Sequence, residues 1–194
     1  METELKLSTE DKRYLLELAR KVIRAKCSGS SFDPEPPVSP VLNEKRGAFV
    51  TLNEQGQLRG CIGYIEGIKP LYQSIMEMAE AAAFNDPRFP PVQAEEVDDL
   101  EIEISVLSPL RRIKNIDEIK IGTHGILMKK KHFQGLLLPQ VATHYNWDRE
   151  TFLLQTCIKA GLPSGCRHDP EVEIWIFSAS IFSEEEFFGG ISRS

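Results

Sequence analysis

With 194 residues, 41% of them hydrophobic and 27% charged, the chain has the composition of a folded domain rather than of a disordered segment. That length can bury a sizeable core and fits one domain, or one domain carrying a smaller inserted lobe. A formal net charge of −6 excludes a broad phosphate-binding surface, which needs clustered Lys and Arg, so nucleic acid is not an expected partner.

The start, Met1-Glu2-Thr3-Glu4-Leu5-Lys6, has neither the basic opening nor the apolar stretch of a secretory signal. From residue 9 to 27 the spacing predicts a helix. Ser8 or Thr9 serves as its N-cap, Glu10 and Asp11 favour its dipole, and Leu15, Leu18, Ala19, Val22 and Ile23 mark one buried face. Residues 28–40, with four prolines and four serines, read as a loop lying over a surface. Two strands, 47–52 and 58–64, are expected to form a hairpin around the Gly-containing loop 53–57. Pro70 opens a second helix to about Phe84, where Ala81, Ala82 and Ala83 permit close packing on a sheet and Asp86-Pro87 ends it. Leu100, Ile102, Ile104 and Val106 alternate with Glu101, Glu103 and Ser105, as in a half-buried strand with one polar face.

Beyond that strand, residues 113–120 suggest a short helix, and 125–129 with 133–138 a further hairpin. The basic run Lys129-Lys130-Lys131-His132 is its solvated tip. Pro139-Gln140 breaks the strand. Asp148 is the expected N-cap of a helix ending near Ala160, with Gly161 at its C-terminus. Residues 172–182 read as one long apolar strand, and 184–194 as an acidic, mobile tail. Strands arriving in hairpins predict a mainly antiparallel α+β fold, with a single domain over residues 8–183. No apolar run has the length to span a bilayer, so no membrane contact and a cytoplasmic location are expected. Cys27, Cys61, Cys157 and Cys166 show no CxxC spacing and are expected as reduced thiols.

The run Leu58-Arg59-Gly60-Cys61-Ile62-Gly63 is the strongest candidate for a functional site. Strand alternation puts Arg59, Cys61 and Gly63 on one face, so the Arg59 guanidinium would favour the Cys61 thiolate. Gly60 and Gly63 fit a place where another backbone or a ligand comes close. The alternative is a buried, inert Cys61 beside an Arg59 engaged in a structural ion pair. In Asp86-Pro87-Arg88-Phe89-Pro90-Pro91 the prolines stiffen a loop, so Asp86, Arg88 and Phe89 either recognise a polar ligand or form an internal clasp at a chain corner. His124, between Gly122-Thr123 and Gly125, is a candidate base, and a pairing of Cys61 with His124 or His144 is open. Cys166-Arg167-His168 offers a weak metal or redox alternative, and no metal or cofactor is expected.

These motifs, with Ser105-Val106-Leu107-Ser108, residues 121–126, 135–140 and 157–162 in the same order, resemble the AMME-region candidate-gene-one domain family. Its prokaryotic members are called AmmeMemoRadiSam system protein A. The resemblance covers about residues 10–183. It implies an α+β protein with a larger lobe built from both chain ends and a smaller lobe between them. It also implies a site at Leu58–Gly63, and partners that are a Memo-like protein and a radical S-adenosylmethionine protein. No biochemical activity follows from it. One departure is that Cys166-Arg167-His168 stands where the family often has a tryptophan. The expectation is therefore a substrate cleft at Leu58–Gly63. Cys61 is its nucleophile or thiol carrier, and Arg59, Gly60, Gly63, Asp86, Arg88, Phe89, His124 and Gln140 bind a small molecule, peptide or partner. The rival is a non-enzymatic adaptor that grips a partner protein through the same surface.

Overall fold

The structure, a computed structural model, describes residues 6–189. The opening residues 1–5, where a signal was sought, and the end of the acidic tail, 190–194, lie outside the described residues. Two units divide the chain. One comprises the residues up to Leu107 together with those from Ser180 onward, and the other is Ser108–Ala179. The expected lobe formed from both chain ends, with a second lobe inserted between them, is therefore found.

In the first unit, α1 (Thr9–Cys27) begins at a capping box. The Ser8 hydroxyl accepts the Asp11 N–H, and Asp11 accepts the Ser8 N–H, so two otherwise unpaired helix donors are satisfied. Strands β1 (Ala48–Glu54) and β2 (Gln57–Tyr64) meet at a turn of only two residues, Gln55 and Gly56, both with positive φ (51° and 76°). That geometry matches strand twist, so the ladder runs further than the expected five-residue loop allowed. After α2 (Leu71–Phe84), strand β3 (Leu100–Leu107) completes the run to the first boundary. The sheet order is β2-β1-β3-β8, with β8 covering Ala179–Ser183, and β1 runs antiparallel to both β2 and β3. Ala48, Val50 and Leu52 of β1, with Leu100, Ile102 and Ile104 of β3, turn inward against the apolar faces of α1 and α2. Phe49, Thr51 and Asn53 consequently face the opposite side.

The second unit has its own core, around Ile126, Met128, Phe152, Leu153 and Ile176. Its sheet, of order β4-β7-β5-β6, is built from β4 (Arg111–Ile113), β5 (Gly125–Lys130), β6 (Phe133–Leu137) and β7 (Glu173–Phe177), all antiparallel. Lys131, with φ 54°, turns the expected basic hairpin tip. The short helix expected within 113–120 is one 3₁₀ turn, Ile116–Glu118. Pro139 opens a short helix, α3 (Pro139–His144), rather than only ending a strand, and α4 (Arg149–Lys159) begins where Asp148 accepts the Thr151 N–H.

Two expectations fail at the second boundary. Residues 172–182 are not one strand. At Ser178 the ladder is replaced by bonds to Ser108, whose N–H donates to the Ser178 carbonyl while its hydroxyl accepts the Ser178 N–H, each at 2.9 Å. β7 thus ends in one sheet and β8 begins in the other. Nor is the tail mobile from residue 184. Glu184–Phe188 forms α5, and the buried Glu184 carboxylate pairs with the buried Arg20 guanidinium and accepts the Ile102 N–H at 3.0 Å. Arg20 also donates to the carbonyls of Val97 and Leu100. A buried charge pair stays folded in only when its remaining hydrogen bonds are satisfied in this way. Among the described residues no helix is long and apolar enough to cross a membrane.

Candidate functional site

The strand that carries Cys61 is irregular where it matters. Thr51 pairs with Cys61 and Leu52 with Gly60, but Asn53 pairs with Leu58, so Arg59 is the extra residue of a β-bulge. The bulge breaks the alternation on which the grouping of Arg59 with Cys61 depended, and Arg59 and Gly60 are consecutive buried residues. The Arg59 guanidinium goes to Glu96 (Nε–Oε1 3.0 Å, Nη2–Oε2 3.2 Å) and, through Nη1, to the Pro90 carbonyl at 2.9 Å. It anchors the proline loop, with no hydrogen bond to the Cys61 sulfur. Glu96 is held below the usual carboxylate range, first by the Arg59 hydrogen bond and then by the Gln93 N–H.

The guanidinium beside Cys61 is Arg88. Helix α2 ends at Phe84, and the loop turns back at Asp86-Pro87, tied down by the Val92 N–H bond to the Ala83 carbonyl (2.9 Å). Asp86, 4% exposed, accepts the Cys61 N–H at 2.9 Å, the Arg88 N–H at 3.1 Å, and a bidentate pair from Arg88 Nε (2.9 Å) and Nη2 (2.7 Å). Arg88 Nη2 also reaches the Cys61 carbonyl at 3.3 Å. The internal clasp is thus the arrangement found, and it grips both backbone polar groups of Cys61 on the unpaired side of β2. Covering an edge strand in this way also blocks unwanted pairing. The Arg88 hydrogen bond is the largest influence on Asp86. With the two N–H groups it outweighs burial and holds the carboxyl far below its ordinary range. Arg88 in turn is raised, chiefly by Asp86 and in smaller part by the nearby Cys61. Phe89 lies against the guanidinium, 5.4 Å from ring centre to Cζ.

Cys61 itself is half-buried and is in no disulfide. The Thr51 hydroxyl donates to its sulfur at 3.2 Å. Across the sheet the pairing places Cys61, Thr51 and Glu103 in one row, on the face opposite the core. Thr51 was missed by sequence reasoning because, without the bulge, Thr51 would stand opposite Gly60. Glu96 was missed for want of any spacing signal.

Of the two possibilities that the glycines offered, another backbone or a ligand, it is a backbone that comes close at Gly60, and at Gly63 a neighbouring ring. A Cβ on Gly60 would lie 2.2 Å from the Ala82 carbonyl oxygen, and one on Gly63 would lie 2.3 Å from the Phe49 ring. The missing side chains admit this protein's own α2 and its own aromatic ring.

His124 and Gln140 belong to the second unit. The buried His124 ring accepts the Lys120 N–H on Nδ1 at 3.2 Å, in the turn before β5. The Gln140 carbonyl accepts the Thr143 hydroxyl at 2.9 Å within α3. The expected reduced thiols Cys157 and Cys166 are instead a disulfide, with Cα atoms 5.9 Å apart. Gly161 (φ 72°) ends α4, and a turn closed by the Cys166 N–H on the Pro163 carbonyl brings Cys166 back to the helix. Both sulfurs rest 3.5 Å from Met128 Sδ. Cys166 therefore offers no thiolate for a metal, and His168 Nε2 accepts from Arg167 Nε at 3.0 Å. Among the described residues no three His, Cys, Asp or Glu side chains gather to hold a metal ion.

The AMMECR1 family model matches residues 16–182. A protein of Methanothermobacter thermautotrophicus is 45% identical over 186 residues, covering 92% of this chain and 97% of that protein. A Nanoarchaeum equitans protein is 42% identical over 178 residues, covering 88% and 99%. The crystal structure of an uncharacterized Pyrococcus horikoshii protein superposes with a TM-score of 0.84 at 42% identity, covering 89% of this chain and 90% of that one. The α+β fold expected from the sequence is thus also that of this solved relative. The chain belongs to the AMMECR1 family.

Proposed function

We propose that the outer face of β2 is a substrate site in which Cys61 is the nucleophile and Arg88, rather than Arg59, is the cation beside it. The observation that carries this reading is the convergence on one residue. Thr51 donates to the sulfur, Arg88 lies against the same residue, and Asp86 fixes the backbone between them. A donor to sulfur and a neighbouring cation both favour the thiolate, the form that attacks. In the step envisaged, the thiol proton passes to solvent and the thiolate bonds to an electrophilic carbon. The leaving group departs with the electron pair of its broken bond. Cys27 is the internal control. Its thiol is pushed up by burial first and then by Glu96 and Glu95. At neutral pH, iodoacetamide is expected to label Cys61 at least about tenfold faster than Cys27, and Arg88→Gln or Thr51→Val should remove most of that difference. Equal labelling of the two cysteines in the unsubstituted protein would sink the reading.

A second reading, the adaptor, draws support from exposed apolar side chains on and just after β2: Leu58, Tyr64 and Ile68. The Memo-like protein and the radical S-adenosylmethionine protein are its proposed partners. On this reading Cys61→Ala retains partner capture in a pull-down, whereas Leu58→Asp with Ile68→Asp abolishes it.

A further inference from the structure

We infer that the substrate received at Cys61 carries a carboxylate, which meets the outer N–H groups of Arg88. This rests on the reading of Cys61 as nucleophile and adds the chemical class of what it attacks. Two arginines flank the strand, and their donors are used differently. Arg59 has all three nitrogens engaged, by Glu96 and the Pro90 carbonyl. Arg88 spends Nε and Nη2 on Asp86 and the Cys61 carbonyl, while Nη1 makes no hydrogen bond among the described residues. Its side chain is 54% exposed. A guanidinium is a rigid planar fork, so clamping one edge with a bidentate carboxylate, and resting Phe89 near its carbon, also fixes the direction of the remaining N–H groups.

The charge that balances Arg88 does not compete for that place. Asp86 is buried and its two oxygens already accept four hydrogen bonds. On the other side of Cys61 the row continues through Thr51 to Glu103, two strand spacings or roughly 10 Å away, where a carboxylate repels an anion. An anionic substrate is thereby directed to the Arg88 side of the thiol. One free nitrogen on one half-exposed arginine suits a singly charged, planar carboxylate. A phosphate dianion is ordinarily held by several converging donors, which are not gathered here.

Paired alkylating probes test this on the full chain, with Cys27→Ser to remove the other free thiol. Iodoacetate and iodoacetamide react alike: the carbon–sulfur bond forms, the carbon–iodine bond breaks, and iodide leaves with the electron pair. They differ in carrying a carboxylate or a neutral amide. The ratio of their rates at Cys61, read by mass spectrometry, is expected to be about tenfold higher with Arg88 than in Arg88→Gln, the effect of one charge-assisted hydrogen bond. Arg88→Lys should keep part of the preference, and added salt should erode it in the unsubstituted protein, which needs no variant to fold. Equal ratios in the unsubstituted protein and Arg88→Gln, with no salt effect, overturn the carboxylate while leaving the nucleophile standing. Failure of both reagents to label Cys61 overturns the nucleophile, and the carboxylate with it.

Discussion

In the first unit Cys61 lies half-buried on a sheet face, with a threonine hydroxyl on its sulfur and an arginine at its backbone. In the second unit Cys157 and Cys166 lie inside the apolar core, joined to each other and packed on Met128. Both regions use cysteine near a glycine and an arginine in sequence, yet the sulfur meets opposite surroundings in the two. Polar donors and partial exposure keep a thiol available for chemistry. Apolar burial beside a second cysteine turns it into a staple. Composition and neighbours in sequence do not distinguish these outcomes. The groups that arrive from elsewhere in the fold do.

The sharpest way to break this contrast is to delete sulfur from each region. Joint replacement of Cys157 and Cys166 by Ala removes a short covalent loop and is expected to lower stability by about 2–3 kcal/mol, read from urea midpoints. Cys61→Ala is expected to lower it by less than about 1 kcal/mol, as for a residue outside the core. If Cys61→Ala cost as much as the double replacement, Cys61 would be structural and the contrast void.

A smaller effect should appear in acid. Because Asp86 is held below its ordinary range, it contributes stability that is complete above the unfolded carboxyl value of about 3.9. That contribution is lost as the pH falls through the folded value. Asp86→Asn should lower stability at neutral pH by about 1–3 kcal/mol and should flatten this acid limb. Denaturation midpoints at neutral and acid pH compare the two proteins, and parallel curves would mean that the clasp contributes little.

The smallest effect concerns Arg59. Its Glu96 partner occupies it, so Arg59→Gln should slow iodoacetamide labelling of Cys61 by less than about threefold, against about tenfold for Arg88→Gln. A larger loss in the Arg59 variant would return the activating role to Arg59.

Much of the fold was legible because local chemistry agreed with the global arrangement. Ser8 with Asp11, Asp148 before α4, and the alternation from Leu100 to Val106 each point to one structure through contacts within a few residues. The site was legible only as a neighbourhood. Sequence placed Cys61 near an arginine and set Asp86 and Arg88 on a stiff loop, but a single bulge at Arg59 changed which arginine lies beside the cysteine. A bulge carries no reliable local signature, and one extra residue reverses the face of everything beyond it. The disulfide was hidden for a similar reason. Nine positions separate its cysteines, and only the turn after Gly161 brings them together. The break at Ser178 depends on Ser108, seventy positions earlier, so a largely apolar run concealed two strands.

Arg20 and Glu184 stand 164 positions apart, with the whole inserted unit between them. As the chain leaves the ribosome, Arg20 has its carbonyl acceptors as soon as β3 is made, but no counter-charge until residue 184 emerges. A guanidinium buried without that partner opposes closure of the first core. The inserted unit is made of consecutive residues and waits for nothing downstream. Biosynthesis therefore favours a nested order, in which the middle of the sequence folds before the unit that brackets it.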